Sequence, residues 1–410
     1  MRLLVYEHVS GGGFADELIP ADVLSEGFGM LRTLISDFKA AGHKVTTTLD
    51  SRIARVNPPI DADCVVPVSS SHETQMNIHK IAESADAFYV IAPETDGVLQ
   101  SFVELVEQTG IASLNCAAGA IEKVSNKIDL YEFMRKLGLP LPEMMIFTVT
   151  EDLKEIKKAV CGGLNLPVIF KPSDGVSCSG VSVVRDEEQI VGAVDKIRMS
   201  SSSKHFAVQE LINGDAASVS LLSTGSNAVS ISLNRQDITI KTPENCSSYS
   251  GGVAPFDHPL LTEAFEVAEK LVKSVPDLRG YVGIDFVLTE NEAVAIEVNP
   301  RLTTSYVGLR SVVNFNPAQA IVNAVLKREP PTQIESYGCT LFSKVETPNP
   351  TMGAFQETCR MAEVVSPPFI VSECGFASAL IASHSVTLRE ASTKFREAKK
   401  CVLNTIGRGR

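Results

Sequence analysis

The sequence predicts an α/β domain followed by α+β structure, and three observations predict it. Apolar strand-like runs alternate with helical patterns over the first ~115 residues. From about residue 143, short strands follow one another with fewer helices between them. The stretch "GIDFVLTENEAVAIEVNPR" (283–301) reads as a tight antiparallel hairpin. Alternation of apolar strands with helices builds a parallel sheet covered on both faces, whereas consecutive strands build an antiparallel sheet with helices on one face.

Residues 2–6 form the first strand. A helix over roughly 28–41 ends at Gly42, the residue type that best takes the left-handed position after a helix, and 44–49 form the next strand. A helix near 73–83 feeds the apolar run "AFYVIA" (87–92), and another at about 98–109 stops at Gly110. "SNKIDLYEFMRKLG" continues as a helix terminated by Gly138 and the "LPLPE" turn. "EMMIFTV", "LPVIFKPS", "VSVV" and "FAVQELI" are short strands, with helices at 151–160 and about 186–198. "SVSLLS" and "AVSISLN" come next, then a helix at 261–274, the hairpin, and a helix at 317–326. "KREPPT" (327–332) reads as a linker, and "TLFSKVE" and "FASALIASHS" are strands before a helix at 389–404. The expected units are an α/β domain (1–115), two α+β subdomains (116–205 and 206–330), and a β-rich appendage with a final helix (331–410).

A chain of 410 residues is long enough for two or three domains. Hydrophobic residues make up 44%, and no stretch approaches the ~20 apolar residues that cross a bilayer. The start "MRLLVYEHVS" lacks the apolar run and cleavage site of a signal peptide. The nine cysteines are odd in number and form no CxxC pair, which favours free thiols over zinc or disulfides. A soluble cytoplasmic chain with no membrane partner is expected. Its net charge of −12, spread along the chain, argues against nucleic acid as a partner.

The hairpin carries the chemistry. A turn centred on Asn291 pairs Leu288 with Val294, Phe286 with Ile296 and Ile284 with Val298, giving one wholly apolar side. The other side pairs Asp285 with Glu297 and places Asn299 one step along, three oxygen-bearing side chains within about 5–8 Å. Facing carboxylates repel unless a cation lies between them, and a hard divalent ion takes oxygen ligands while leaving positions for phosphate. A solvated polar face is the alternative, but Val287 and Ala295 between the acids are apolar. Arg301 follows on the same parity, a fixed cation suited to phosphate or carboxylate.

Upstream, "VIFKPSDGVSCSGVSVV" (168–184) places Lys171 between a strand and a loop of small residues. Backbone amides of such a loop can wrap phosphates, although the pattern by itself is more often an ordinary hairpin. The order of Lys127 within "SNK", Lys171 within "FKPSDG", "VQELING" and "GIDFVL…IEVNPR" resembles the ATP-grasp superfamily over about 115–325. The resemblance implies an ATP-grasp fold, in which an α/β domain precedes two α+β subdomains that sandwich ATP. It implies that Lys127 and Lys171 contact the phosphates, under a loop containing Ser177, Ser179 and Gly180. Many relatives have glycine in place of Ser177 and Ser179. Glu210 with the backbone of Leu211–Ile212 would meet adenine, and Asp215 the ribose. Asp285, Glu297 and Asn299 match the ligands of Mg2+ (or Mn2+), and Arg301 the residue that steadies the transferring phosphate. The implied chemistry is carboxylate activation by ATP followed by attack of an amine, with Arg301 and Lys171 as the catalytic groups. The small-molecule partners are then an amine and an amino-acid carboxylate, and a homodimer is compatible with the sequence.

"YEHVSGG" and "LSEGFGM" (24–30) resemble the opening of the tyramine–glutamate ligases of methanofuran biosynthesis, themselves ATP-grasp proteins. Glu7, Ser10, Gly11, Gly12, Glu26 and Arg235 are the substrate-binding candidates: Glu7 or Glu26 for an ammonium, Arg235 or Arg301 for a carboxylate. Two other readings stand beside this one. A non-catalytic ATP-binding module would keep the fold, and the glycine run at 11–13 would suit a nicotinamide cofactor, although Asp16 replaces the third glycine of that fingerprint.

Overall fold

The computed structural model describes residues 1–175, 178–371 and 375–408. The first sheet contains β1 (Arg2–Glu7), β2 (Lys44–Asp50), β3 (Cys64–Val68), β4 (Ala87–Ile91) and β5 (Ala112–Ser113), all parallel, in the order β3-β2-β1-β4-β5. Leu3 and Val5 pack into one core and Leu4 and Tyr6 into another, so β1 is buried on both faces. The strand order reverses between β1 and β4. Their carboxyl ends, Glu7 and the turn after Ile91, therefore border the crevice where open α/β sheets bind ligands.

The helix Ala21–Ala40 begins well before the expected residue 28. Its first turns bury Ser25, Glu26 and Gly27, so no apolar periodicity announces them.

A second sheet contains β6 (Met144–Thr148), β7 (Val168–Pro172), β8 (Ser182–Val184) and β9 (His205–Glu210), in the order β6-β9-β7-β8. The helices Leu153–Gly163 and Gln189–Ser200 cover one face, where Ile156, Val160, Ile190 and Val194 meet Val168, Phe170, Phe206 and Val208. Period-two alternation turns Ile169, Lys171 and Gln209 to the other face. Because β9 pairs with both β6 and β7, the change of sheet falls after Glu210, beyond the expected boundary at 205.

The third sheet is antiparallel. It comprises β10 (Asp215–Thr224), β11 (Ala228–Thr239), β12 (Ser248–Ala254), β13 (Arg279–Leu288), β14 (Ala293–Asn299), β15 (Cys339–Pro348), β16 (Val364–Ser366) and β17 (Phe376–Ser385). The order is β14-β13-β10-β11-β12-β15-β17-β16. Residues 331–410 therefore do not stand apart as an appendage. β15 takes up the free edge of β12, whose backbone donors and acceptors would otherwise lack partners. β12 runs very close to its neighbours: a Cβ on Gly251 would lie 2.1 Å from the Phe342 carbonyl oxygen, and one on Gly252 2.0 Å from that of Arg235.

The hairpin β13–β14 follows the expected register at one end only. Asp285 faces Glu297 and Ile284 faces Val298, but a bulge then shifts the pairing, so that Phe286 faces Ala295 and Val287 faces Val294. The extra residue is Ile296. It lines the cleft instead of the core, and Ala295 takes the core position. Among the described residues, no helix is long and apolar enough to cross a membrane.

Candidate active site

One cleft lies between the three sheets, and its ends differ in chemistry. Ile169, Leu211, Ile212, Val287 and Ile296 make one end apolar, suited to a flat aromatic base. Lys127, Lys171, Asp285, Glu297, Asn299 and Arg301 gather in the middle. Glu7, Glu26, Met30, Pro93 and Thr304 line the far end, beneath the switch point of the parallel sheet.

The "SNK" motif has a local explanation. Asn126 caps the helix Lys127–Lys136, its side-chain oxygen accepting from Ile128 N at 2.9 Å and Asp129 N at 3.3 Å. Lys127 is thereby fixed at the first helical position, and its backbone N donates to Ser173 O at the end of β7 (2.9 Å). Its Nζ donates to Glu297 Oε1 at 2.9 Å and to Gly175 O at 3.1 Å. Lys171 stands nearby and is buried, and its ammonium makes no hydrogen bond or ion pair to another described residue. Burial and the neighbouring Lys127 pull its ammonium down to about 8, partly offset by Glu297.

Asp285 accepts from Gln236 Nε2 at 3.0 Å and from Asn299 Nδ2 at 3.2 Å. These amides do not offset its burial and the facing Glu297, which together push its carboxyl up to about 7. Two carboxylates and one carboxamide give a donor set of oxygens with excess negative charge, which fits a hard divalent cation. To join, Asn299 would turn its amide oxygen toward the acids in place of Nδ2. Arg301 is clamped: one terminal nitrogen donates to Glu94 Oε2 at 3.0 Å, the other to Leu302 O at 3.1 Å. Burial alone would lower its pKa, but Glu94, with Glu297 and Asp285, more than offsets it and raises the guanidinium pKa.

Proton binding at Asp285 sets a pH dependence. The folded protein holds a proton there that the unfolded chain loses near pH ~4. This stabilisation is full below pH ~4 and lost as pH rises through about 7. Any cation at Asp285 competes with that proton. The affinity of chelator-treated protein for Mg2+, measured by calorimetry, should rise between pH 6 and pH 8; a flat profile would contradict the shift.

The other sequence candidates divide. Leu211, Ile212 and Ser179 line the cleft. Ser177 lies outside the described residues. Glu210 is exposed and not part of the lining; period-two alternation gives the cleft position to Gln209. Gly180 is buried against Ser200 and Pro172, and Asp215 is exposed beside His258 at 3.6 Å, so neither lines the cleft. Arg235 also points away and pairs with Asp237 at 3.2 Å, because alternation along β11 puts Gln236 and Ile238 on the cleft side.

Ser10, Gly11 and Gly12 are folded inward. Ser10 is fully buried and its hydroxyl donates to Glu7 Oε2 at 2.6 Å, while Thr48 and Thr74 donate to the carbonyls of Gly11 and Gly12. The glycine run is thus a packed turn. Glu7 reaches the cleft wall, but its carboxylate also accepts from Val9 N (2.9 Å) and Ser10 N (2.7 Å). Burial raises its pKa, and these hydrogen bonds draw it part of the way back. Glu26 does hold an ammonium, that of Lys344.

Gly27 makes room for this arrangement. A Cβ there would lie 2.5 Å from Glu7 Oε1, a carboxylate pinned by its own loop. Gly27→Val should lower stability by about 1–3 kcal/mol, read as a fall in thermal midpoint; an unchanged midpoint would mean that Glu7 moves freely.

Sequence reasoning missed Glu94, Thr304 and Lys344, and gave Gln236 no role of its own. Gln236 alone left a signal, two residues beyond Asn234 on the strand face that the β10–β11 register turns toward Ser218 and Asp285.

Comparison with known proteins agrees with this geometry. The family model described as an ATP-grasp domain matches residues 124–305, and a pre ATP-grasp 3 domain matches 43–121. Tyramine–L-glutamate ligase of Methanocaldococcus fervens is 27% identical over 311 residues, 75% of this chain and 89% of that protein. Biotin carboxylase of Campylobacter jejuni, solved as a β,γ-ATP complex, superposes with TM-score 0.72 at 16% identity, covering 98% of this chain and 94% of that one. The L-amino acid ligase of Bacillus licheniformis superposes with TM-score 0.68 at 15% identity, covering 97% of each chain. With an ATP-grasp domain at 124–305, a pre ATP-grasp domain before it and a ligase relative matched over 89% of its length, the chain is an ATP-grasp ligase of the carbon–nitrogen bond-forming kind.

Proposed function

We infer that this ligase joins the γ-carboxylate of L-glutamate to an amine such as tyramine, with cleavage of ATP to ADP and phosphate. The observation that carries the reading is the convergence of three cationic side chains and three oxygen donors between an apolar end and a polar far end of one cleft. The named activity of the M. fervens relative supplies the substrate pair.

The apolar end takes adenine, against Leu211 and Ile212, and the triphosphate runs toward Lys127 and Lys171. A divalent ion, Mg2+ or Mn2+, held by Asp285, Glu297 and Asn299 would neutralise phosphate oxygens there. The acid enters from the far end. Its carboxylate oxygen attacks the γ-phosphorus, the bond to the ADP oxygen breaks, and an acyl phosphate results. Arg301, held rigid by Glu94, faces the charge that develops on the transferring group. The amine nitrogen then attacks the acyl carbon, the carbon–oxygen bond to phosphate breaks, and the amine proton leaves. Such phosphoryl transfer depends on positioning and charge neutralisation, so no side-chain nucleophile is required.

The test is a screen of ADP and phosphate release across amines and amino-acid carboxylates. Release should require both an acid and an amine. If tyramine with glutamate releases nothing while another pair does, the substrate assignment falls and the ligase class stands. ATP binding with no turnover for any pair would overturn both.

A further inference from the structure

A buried ion pair stands at the far end of the cleft, apart from the acids of the hairpin. Lys344 Nζ, from β15, lies 2.6 Å from Glu26 Oε1, and Thr304 Oγ1 donates to Glu26 Oε2 at 2.7 Å. The Lys344 and Glu26 side chains are 13% and 8% exposed. Three distant parts of the chain meet here: the helix Ala21–Ala40, the loop after Arg301, and the C-terminal strands. Stability alone does not account for the pair, since removing both charges from water costs about as much as their attraction returns, and apolar residues would pack equally well.

Its position offers another account. Glu26 and Thr304 line the cleft, Lys344 lines a second cavity, and Tyr249 lines both. The Lys344 ammonium sits 5.9 Å from the centre of the Tyr249 ring. The pair therefore stands where the two cavities adjoin, with Glu26 on the cleft side and Lys344 on the other. The second cavity carries Ser248, Ser250 and Ser378 beside Lys344, its single cation among the described lining residues. Asp22 and Glu346 also line it, but both are exposed, so water screens them more than it screens Lys344. Tyr249 links the pair electrostatically to the hairpin acids: burial and then the charges of Glu26 and Asp285 raise its phenol.

We propose that Glu26 and Lys344 recognise the head group of an α-amino acid, Glu26 taking its ammonium and Lys344 its α-carboxylate, so that the side-chain carboxylate points toward Arg301. This rests on the ligase reading and specifies how the acid is selected. A zwitterion brings one charge of each sign, so the pair can open with neither partner left bare. A ligand lacking either charge strands one buried partner, and that penalty is what discriminates. Lys344 lies beyond the matched ATP-grasp domain, in the strands that extend the catalytic sheet.

The test traps the acyl phosphate with hydroxylamine, which removes dependence on the identity of the amine. L-Glutamate is compared with 4-aminobutyrate, which lacks the α-carboxylate, and glutarate, which lacks the ammonium. Wild-type kcat/KM for hydroxamate formation should favour L-glutamate over each analogue by about 10²-fold or more. In Lys344→Met the preference over 4-aminobutyrate should collapse to below ~10-fold, while the preference over glutarate and the KM for ATP persist. Lys344→Arg, which keeps the charge, should recover part of the preference and serves as the readout if Lys344→Met is too unstable to assay. Hydroxamate formation with unchanged discrimination in Lys344→Met, or a wild type indifferent to the α-carboxylate, overturns this assignment alone. No hydroxamate from any acid overturns the ligase reading together with it.

Discussion

Glu297→Ala should abolish ligation, lowering kcat by about 10³-fold or more, while the thermal midpoint stays close to wild type. The substitution removes one of the two carboxylates that face each other across the hairpin and releases Lys127 from its 2.9 Å ion pair. Both changes fall on groups that must be fixed before phosphoryl transfer begins. Stability responds less because two electrostatic effects oppose each other. Lys127 loses its counter-charge but keeps the Gly175 carbonyl, and Asp285 loses the neighbour that raised its pKa. Steady-state kinetics with circular dichroism melting reads both quantities. Wild-type turnover in a folded Glu297→Ala protein would remove the metal role assigned to the hairpin.

Arg301→Ala should lower kcat by about 10²–10³-fold with a smaller effect on the KM for ATP. Arg301 is held by Glu94 and the Leu302 carbonyl, so its orientation is set before substrate arrives. A group preorganised toward developing charge acts mainly on the transition state, which places the loss in kcat. Arg301→Lys should recover little, because an ammonium cannot hold Glu94 and face the phosphoryl group in the geometry of the planar fork. A kcat within twofold of wild type in either variant would contradict the role.

The sequence makes the short-range part of this site legible and leaves the long-range part hidden. Asp285 opposite Glu297 follows from a turn and a period of two, and the pairing is observed. The same arithmetic misplaces Ile296, because a bulge costs one residue and leaves no mark in the apolar pattern. Gly11 and Gly12 look like a ligand loop, since glycine suits a packed turn and a ligand contact alike; the partners that decide, Thr48 and Thr74, lie far along the chain. Arg235 was a candidate by charge type, yet strand parity turns it outward and brings Gln236 in. Glu94 and Lys344 were invisible for a further reason. Each gains meaning from a partner more than 200 residues away, Arg301 and Glu26 respectively, and a single sequence does not record such distances.

β12 has consequences for any attempt to rebuild this enzyme. Its glycines sit in seams on both sides that admit no side chain, so the chain beyond residue 330 is sewn into the same fabric as the hairpin. Cutting along that seam would bare a strand ready to recruit another molecule. Retuning what the protein accepts therefore calls for substitutions made in place along β12 and β15, and not for an exchange of whole pieces with a relative.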